Sequence, residues 1–111
     1  MKTLLIFRSS PMLGTALQEG LDLALVMALM EQPVSILLQE AAVHMLSAAQ
    51  ASVQGRRHLG KLLASLPLYG IERLYLSPSP QFPVQVEAPW QIVDAAMVAQ
   101  LWQEHDEVWL W

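Results

Sequence analysis

The sequence predicts an α/β fold: a three-layer α/β/α sandwich on a mainly parallel five-stranded sheet. Three observations carry this expectation. Residues 3–7 are a short continuous apolar run, 34–38 a second, β-branched and leucine-rich one, and 71–76 a third strand-like segment. Stretches with helical spacing separate them, and Pro33 and Pro67 punctuate the joins. Strands that alternate with helices need crossover connections, and those connections cover both faces of a parallel sheet.

Residues 3–7, Thr-Leu-Leu-Ile-Phe, suit a central strand. A turn-rich loop over 8–14 leads to Thr15, which has Gln18 at capping-box spacing, and Leu17, Leu21, Leu25 and Ala28 then mark one helical face. Residues 34–38 make the second strand, and 41–49 a short helix. The small, polar stretch 50–55 is a loop. Leu59, Leu62, Leu63 and Leu66 give 57–66 helical spacing until Pro67 ends it. The third strand is expected at 71–76, followed by an irregular loop over 77–83 with three prolines. A fourth strand fits 84–87, Asp94 caps a helix running to about His105, and 107–111 alternates like a fifth strand. Residues 1–111 read as one domain. In such sheets ligands gather outside the carboxyl ends of the strands, so the expected rim comprises 8–14, 40–42 and 77–80.

Composition narrows the function. The chain is 54% apolar and only 14% charged, which points to surface hidden against partner subunits. The best candidate span, residues 21–30, contains Asp22 and falls short of the roughly 18–20 apolar residues a bilayer requires. The apolar start ends at Arg8, too early for a secretory signal, so no membrane association and a cytoplasmic location are expected. There is no cysteine, which excludes a disulfide, a thiolate nucleophile and a cysteine zinc site. Residues 1–73 hold all six Lys and Arg against five acids, whereas 74–111 hold five acids and no base. Direct nucleic-acid binding is therefore disfavoured, and the acidic third reads as a solvated face.

The remaining motifs have simple structural explanations. Gly55 to Lys61 matches G-x-x-x-x-G-K, but Leu62 stands where Ser or Thr should bind magnesium and no strand precedes the loop. Arg56 and Arg57 read first as a solvated basic helix start, with a surface for an acidic partner as the alternative. His44, His58 and His105 lack metal-ligand spacing, so no metal and no cofactor are expected. His105 next to Asp106 reads as a helix-end histidine rather than a base with its orienter. Ser9 and Ser10 lack the G-x-S-x-G context of a nucleophile. Trp109 and Trp111 share one face of the last strand, for burial at an interface or within the fold. The methionines, among them Met27, Met30, Met45 and Met97, read as core or subunit-contact fillers.

Phe7-Arg8-Ser9-Ser10-Pro11, Gly14-Thr15, Glu19-Gly20-Leu21-Asp22 and Leu68-Tyr69-Gly70-Ile71-Glu72 together resemble the DsrF/TusC branch of the DsrE/DsrF-like family. The similarity runs from Lys2 to Trp111, and S-P-x-x-G-T followed by E-G-L-D is its most specific part. The resemblance departs at Ala41-Ala42-Val43, where the family commonly has Asp-Gly-Val, and the region from the proline loop onward is shortened. It implies a DsrEFH-like fold and assembly with DsrE/TusD-like and DsrH/TusB-like subunits. In such assemblies a cysteine of the DsrE/TusD subunit takes a persulfide and passes sulfur to a DsrC/TusE-like carrier, toward tRNA 2-thiouridine synthesis or sulfur oxidation. By order of elements, that cysteine region corresponds to the loop after the third strand, where this chain has Ser77. A hydroxyl ionises far less readily than a thiol and supports no persulfide chemistry.

The expectation is a structural subunit that brings contacts rather than chemistry. Ser9, Ser10, Gly14 and Ser77 are placed at the rim of the partner's site, and Arg56, Arg57, Trp109 and Trp111 at an interface. The alternatives are a stand-alone homo-oligomeric interaction module, or a small domain that binds an anionic ligand at the strand ends.

Overall fold

A computed structural model describes residues 2–8, 16–40, 42, 65–78 and 90–110. One sheet contains β1 (Thr3–Phe7), β2 (Val34–Gln39), β3 (Arg73–Ser77), β4 (Gln91–Ile92) and β5 (Glu107–Leu110). Their order is β4-β3-β2-β1-β5, and every neighbouring pair is parallel. The described residues also contain helices α1 (Ala16–Leu29) and α2 (Ala95–Glu104) and a 3-10 turn (Leu66–Tyr69). The expected α/β class and five-stranded parallel sheet are both present.

Successive side chains of a strand point to opposite faces, and this divides the core in two. Leu5 and Phe7 of β1, Val34, Ile36 and Leu38 of β2, and Leu74 and Leu76 of β3 pack with Leu21 and Ala24 of α1. On the other face Leu4, Ile6 and Leu37 pack with Val93 and with Leu101 of α2, flanked by Tyr75, Val98 and Val108. All five residues of β1 are buried, and so are the first five of β2. Burial on both faces is why these strands read as unbroken apolar runs. Met27 packs partly into the α1-side core, whereas Met30 and Met97 are exposed and Met45 lies outside the described residues.

Helix ends and turns account for the boundaries. Glu31 takes φ 61°, with its N–H on the carbonyl of Ala28 at 3.0 Å and the Gln32 N–H on that of Met27 at 3.0 Å. This six-to-one and five-to-two closure satisfies the last carbonyls of α1 and turns the chain through Pro33 into β2. The same closure recurs at Gly70, with φ 89°: its N–H reaches Pro67 O and that of Ile71 reaches Leu66 O, both at 3.1 Å. Here the left-handed conformation favours glycine. Asp94 caps α2 by accepting from the Met97 N–H at 2.8 Å, as its position before the helical run implied.

Three expectations change. β3 starts at Arg73 rather than at 71, because the Ile71 N–H is used by the turn. Pro67 does not stop the winding; it occupies the first turn of the 3-10 segment, where a missing N–H costs nothing. β4 is found at Gln91–Ile92, two exposed residues with no periodicity to announce them. The strand expected at 84–87, the proposed cap Thr15, the helix over 41–49 apart from Ala42, and most of that over 57–66 lie outside the described residues.

Candidate functional site

At the carboxyl edge of the sheet the strand registers set three polar side chains in a row. Phe7 lies opposite Leu38 and Gln39 opposite Ser77, so Arg8, Gln39 and Ser77 follow one another across β1, β2 and β3. Period-two alternation puts all three on the face that carries Ile6, Leu37 and Tyr75, the side of α2. Nε of Arg8 donates to Oε1 of Gln39 at 3.1 Å. Arg8 is exposed, while Gln39 and Ser77 are half-buried. Beyond them the backbone of Glu40 turns away at φ 51°, and Ala42 returns to the α1-side core.

The row offers a guanidinium, an amide and a hydroxyl. These groups bind and orient a polar group, but none is a soft nucleophile. The chain has no cysteine to add one, so it has no thiol on which to carry sulfur. Among the described residues no three His, Asp or Glu converge as a metal requires. No helix among them is long and apolar enough to cross a membrane.

Of the residues singled out in the sequence, Ser77 stands in this row. Trp109 sits on β5 and is 41% exposed, with Nε1 donating to Oε2 of Glu107 at 3.2 Å. Three strand spacings separate β3 from β5, so Ser77 and Trp109 are roughly 14 Å apart across the sheet and form no common site. Ser9, Ser10, Gly14, Arg56, Arg57 and Trp111 lie outside the described residues.

Two features escaped the sequence reading. Arg8 was expected at the rim, as the first residue of the loop over 8–14, but with no partner; its pairing with Gln39 follows from strand register, which a single sequence does not display. The second is a buried bridge at His105. Its Nδ1 lies 2.7 Å from the Leu101 carbonyl and its Nε2 2.9 Å from Oγ of Ser35. A carbonyl only accepts, so Nδ1 carries a proton, and in the neutral ring the Ser35 hydroxyl donates to Nε2. Asp106 turns elsewhere, taking the Lys2 backbone N–H at 2.8 Å. His105 is thus a helix-end residue that ties α2 to β2, not a base oriented by Asp106.

A groove of about 520 Å³ opens at the opposite pole, where Lys2, Glu31, Ser35, Tyr69 and Arg73 surround the amino ends of β1, β2 and β3. Parallel sheets place their chemistry at the carboxyl ends, so the row at Arg8, Gln39 and Ser77, not this groove, is the candidate site.

A model of the DsrE/DsrF-like family matches residues 1–80. The crystal structure of the YchN protein from E. coli aligns with all of this chain over all of its own, with a TM-score of 0.78 and 18% identity. At that identity the likeness speaks for the fold alone. No curated protein matches the sequence significantly.

Proposed function

The chain belongs to the DsrE/DsrF-like family, and from that premise we propose that it is a non-catalytic subunit of a sulfur-relay complex, of the DsrF/TusC type. The observation that carries this reading is the absence of any cysteine from a member of such a family. Persulfide formation needs a polarisable, readily ionised sulfur, and at the end of β3 this chain presents the Ser77 hydroxyl instead. The cysteine then belongs to a DsrE/TusD-like subunit, with a DsrH/TusB-like subunit completing the assembly and a DsrC/TusE-like carrier receiving the sulfur. The destination is tRNA 2-thiouridine synthesis or sulfur oxidation.

In this reading Ser77, with Ser9, Ser10 and Gly14, edges the partner's reactive cysteine and hydrogen-bonds rather than reacts. Arg56, Arg57, Trp109 and Trp111 contribute to subunit contacts. Exposed apolar side chains support burial in an assembly: Leu29 is 69% exposed and Leu68 85%, in a chain with few charges to solvate its surface. Coexpression with DsrE/TusD-like and DsrH/TusB-like subunits is expected to give one complex that stays together through size exclusion with light scattering. Recovery of this chain as a lone monomer beside both partners would count decisively against the proposal.

A further inference from the structure

We propose that the row Arg8, Gln39 and Ser77 binds a small tetrahedral oxyanion, of the sulfate or phosphate kind. This inference goes beyond the sulfur-relay reading and does not rest on it, because it uses only the hydrogen-bonding chemistry of three side chains and their place in the sheet.

The one hydrogen bond within the row sets the direction of the other donors. An arginine Nε–H can only donate, so the Gln39 atom 3.1 Å from it is the amide oxygen and not the nitrogen. The Gln39 NH2 group is then directed away from that contact, with two hydrogens to give. Both Nη groups of Arg8 keep their hydrogens as well, since among the described residues Arg8 has no carboxylate partner. Glu40, the next residue along β2, leaves the strand at φ 51° and forms no ion pair with it. The Ser77 hydroxyl, in register with Gln39, adds a further donor. The row thus presents donors from three side chains and one formal positive charge, while its amide oxygen is already turned to Arg8. That is a surface for an anion, not for a cation.

The strand order favours the same place. β2, β3 and β4 lie on one side of β1 and β5 on the other, with α1 packed on one face and α2 on the opposite one. The order therefore reverses at β1, and Arg8 is the residue that follows its carboxyl end. Open parallel sheets bind ligands in the crevice outside the strand ends where the order reverses. Gln39 and Ser77 are half-buried, so water competes less for their donors than at an open surface. In the groove at the amino pole, by contrast, Lys2 and Arg73 are offset by Glu31 and Glu72, which leaves no net charge to select an anion.

The number of donors selects the kind of anion. A carboxylate has its oxygens in one plane and is matched by a single guanidinium edge. Donors from three separate side chains are better met by an ion whose oxygens point in several directions.

The test is a titration of the isolated, nitrogen-labelled chain with sulfate, phosphate and acetate, each at an ionic strength held constant with chloride. The Arg8 Nε–H resonance is expected to shift saturably with sulfate and phosphate, and acetate should bind several-fold more weakly. Gln39→Glu keeps an acceptor for Arg8 but cancels the charge and removes the NH2 donors, so affinity should fall roughly tenfold or more. Ser77→Ala, which deletes one half-buried hydroxyl, should weaken binding several-fold. Arg73→Gln, at the amino pole, should bind as the wild type does. Shifts that do not saturate, acetate held as tightly as sulfate, unchanged affinity in Gln39→Glu, or binding lost in Arg73→Gln would each overturn the proposal. The wild-type, Ser77→Ala and Arg73→Gln titrations decide it even if Gln39→Glu fails to fold. No relay partner is present, so the result stands apart from whether the sulfur-relay complex forms.

Discussion

Phe7→Ala is expected to lower folding stability by about 3–5 kcal/mol. Phe7 is fully buried at the end of the central strand β1, packed into the cluster that joins β1, β2 and β3 to α1. Truncating it removes the transfer energy of an aromatic ring and leaves a cavity that a sheet paired on both sides of β1 cannot close. Domains of this size have only about 5–15 kcal/mol in hand, so the loss is a large fraction of the whole. It also reaches the candidate site, because Phe7 precedes Arg8, whose guanidinium meets Gln39. Urea unfolding followed by tryptophan fluorescence should show a lower midpoint with an unchanged slope. A loss below about 1 kcal/mol would mean that the α1-side core is not packed as described.

The second large effect is expected at the His105 bridge. Ser35→Ala leaves Nε2 of a buried histidine without a donor, because the Leu101 carbonyl holds the ring proton on Nδ1. An unpaired buried acceptor costs about 1–3 kcal/mol. His105→Ala strands the Ser35 hydroxyl instead, at a similar cost. The pair should therefore couple: the double substitution is expected to cost less than the sum of the single ones, by about 0.5–3 kcal/mol. Strict additivity in a thermodynamic cycle would show that the bridge does not form in solution.

The fold was legible where local pattern and burial agree. Residues 3–7 and 34–38 read as buried strands because both faces of β1 and β2 are covered, so nothing polar interrupts them. Asp94 and the helix to His105 were readable from a cap followed by helical spacing. The start of β3 was misread because Ile71 is apolar for a different reason: it closes the turn at Gly70 and packs against the α1-side core. β4 was invisible because two exposed residues carry no period. At the candidate site, Ser77 was expected at the rim from the family resemblance and the order of elements, and it stands at the end of β3. Arg8 with Gln39, and Ser35 with His105, are contacts between residues 31 and 70 positions apart, which pattern along one chain does not encode.

Under the proposed function sulfur travels on a partner's cysteine while this chain, which has no thiol, supplies surface. The direct test is to load the cysteine-bearing subunit with sulfane sulfur, assemble it with this chain, and record the intact mass of each polypeptide. The reductant-labile adduct is expected on the partner alone, and this chain should keep its unmodified mass throughout turnover. A labile sulfur adduct on this chain would contradict the account.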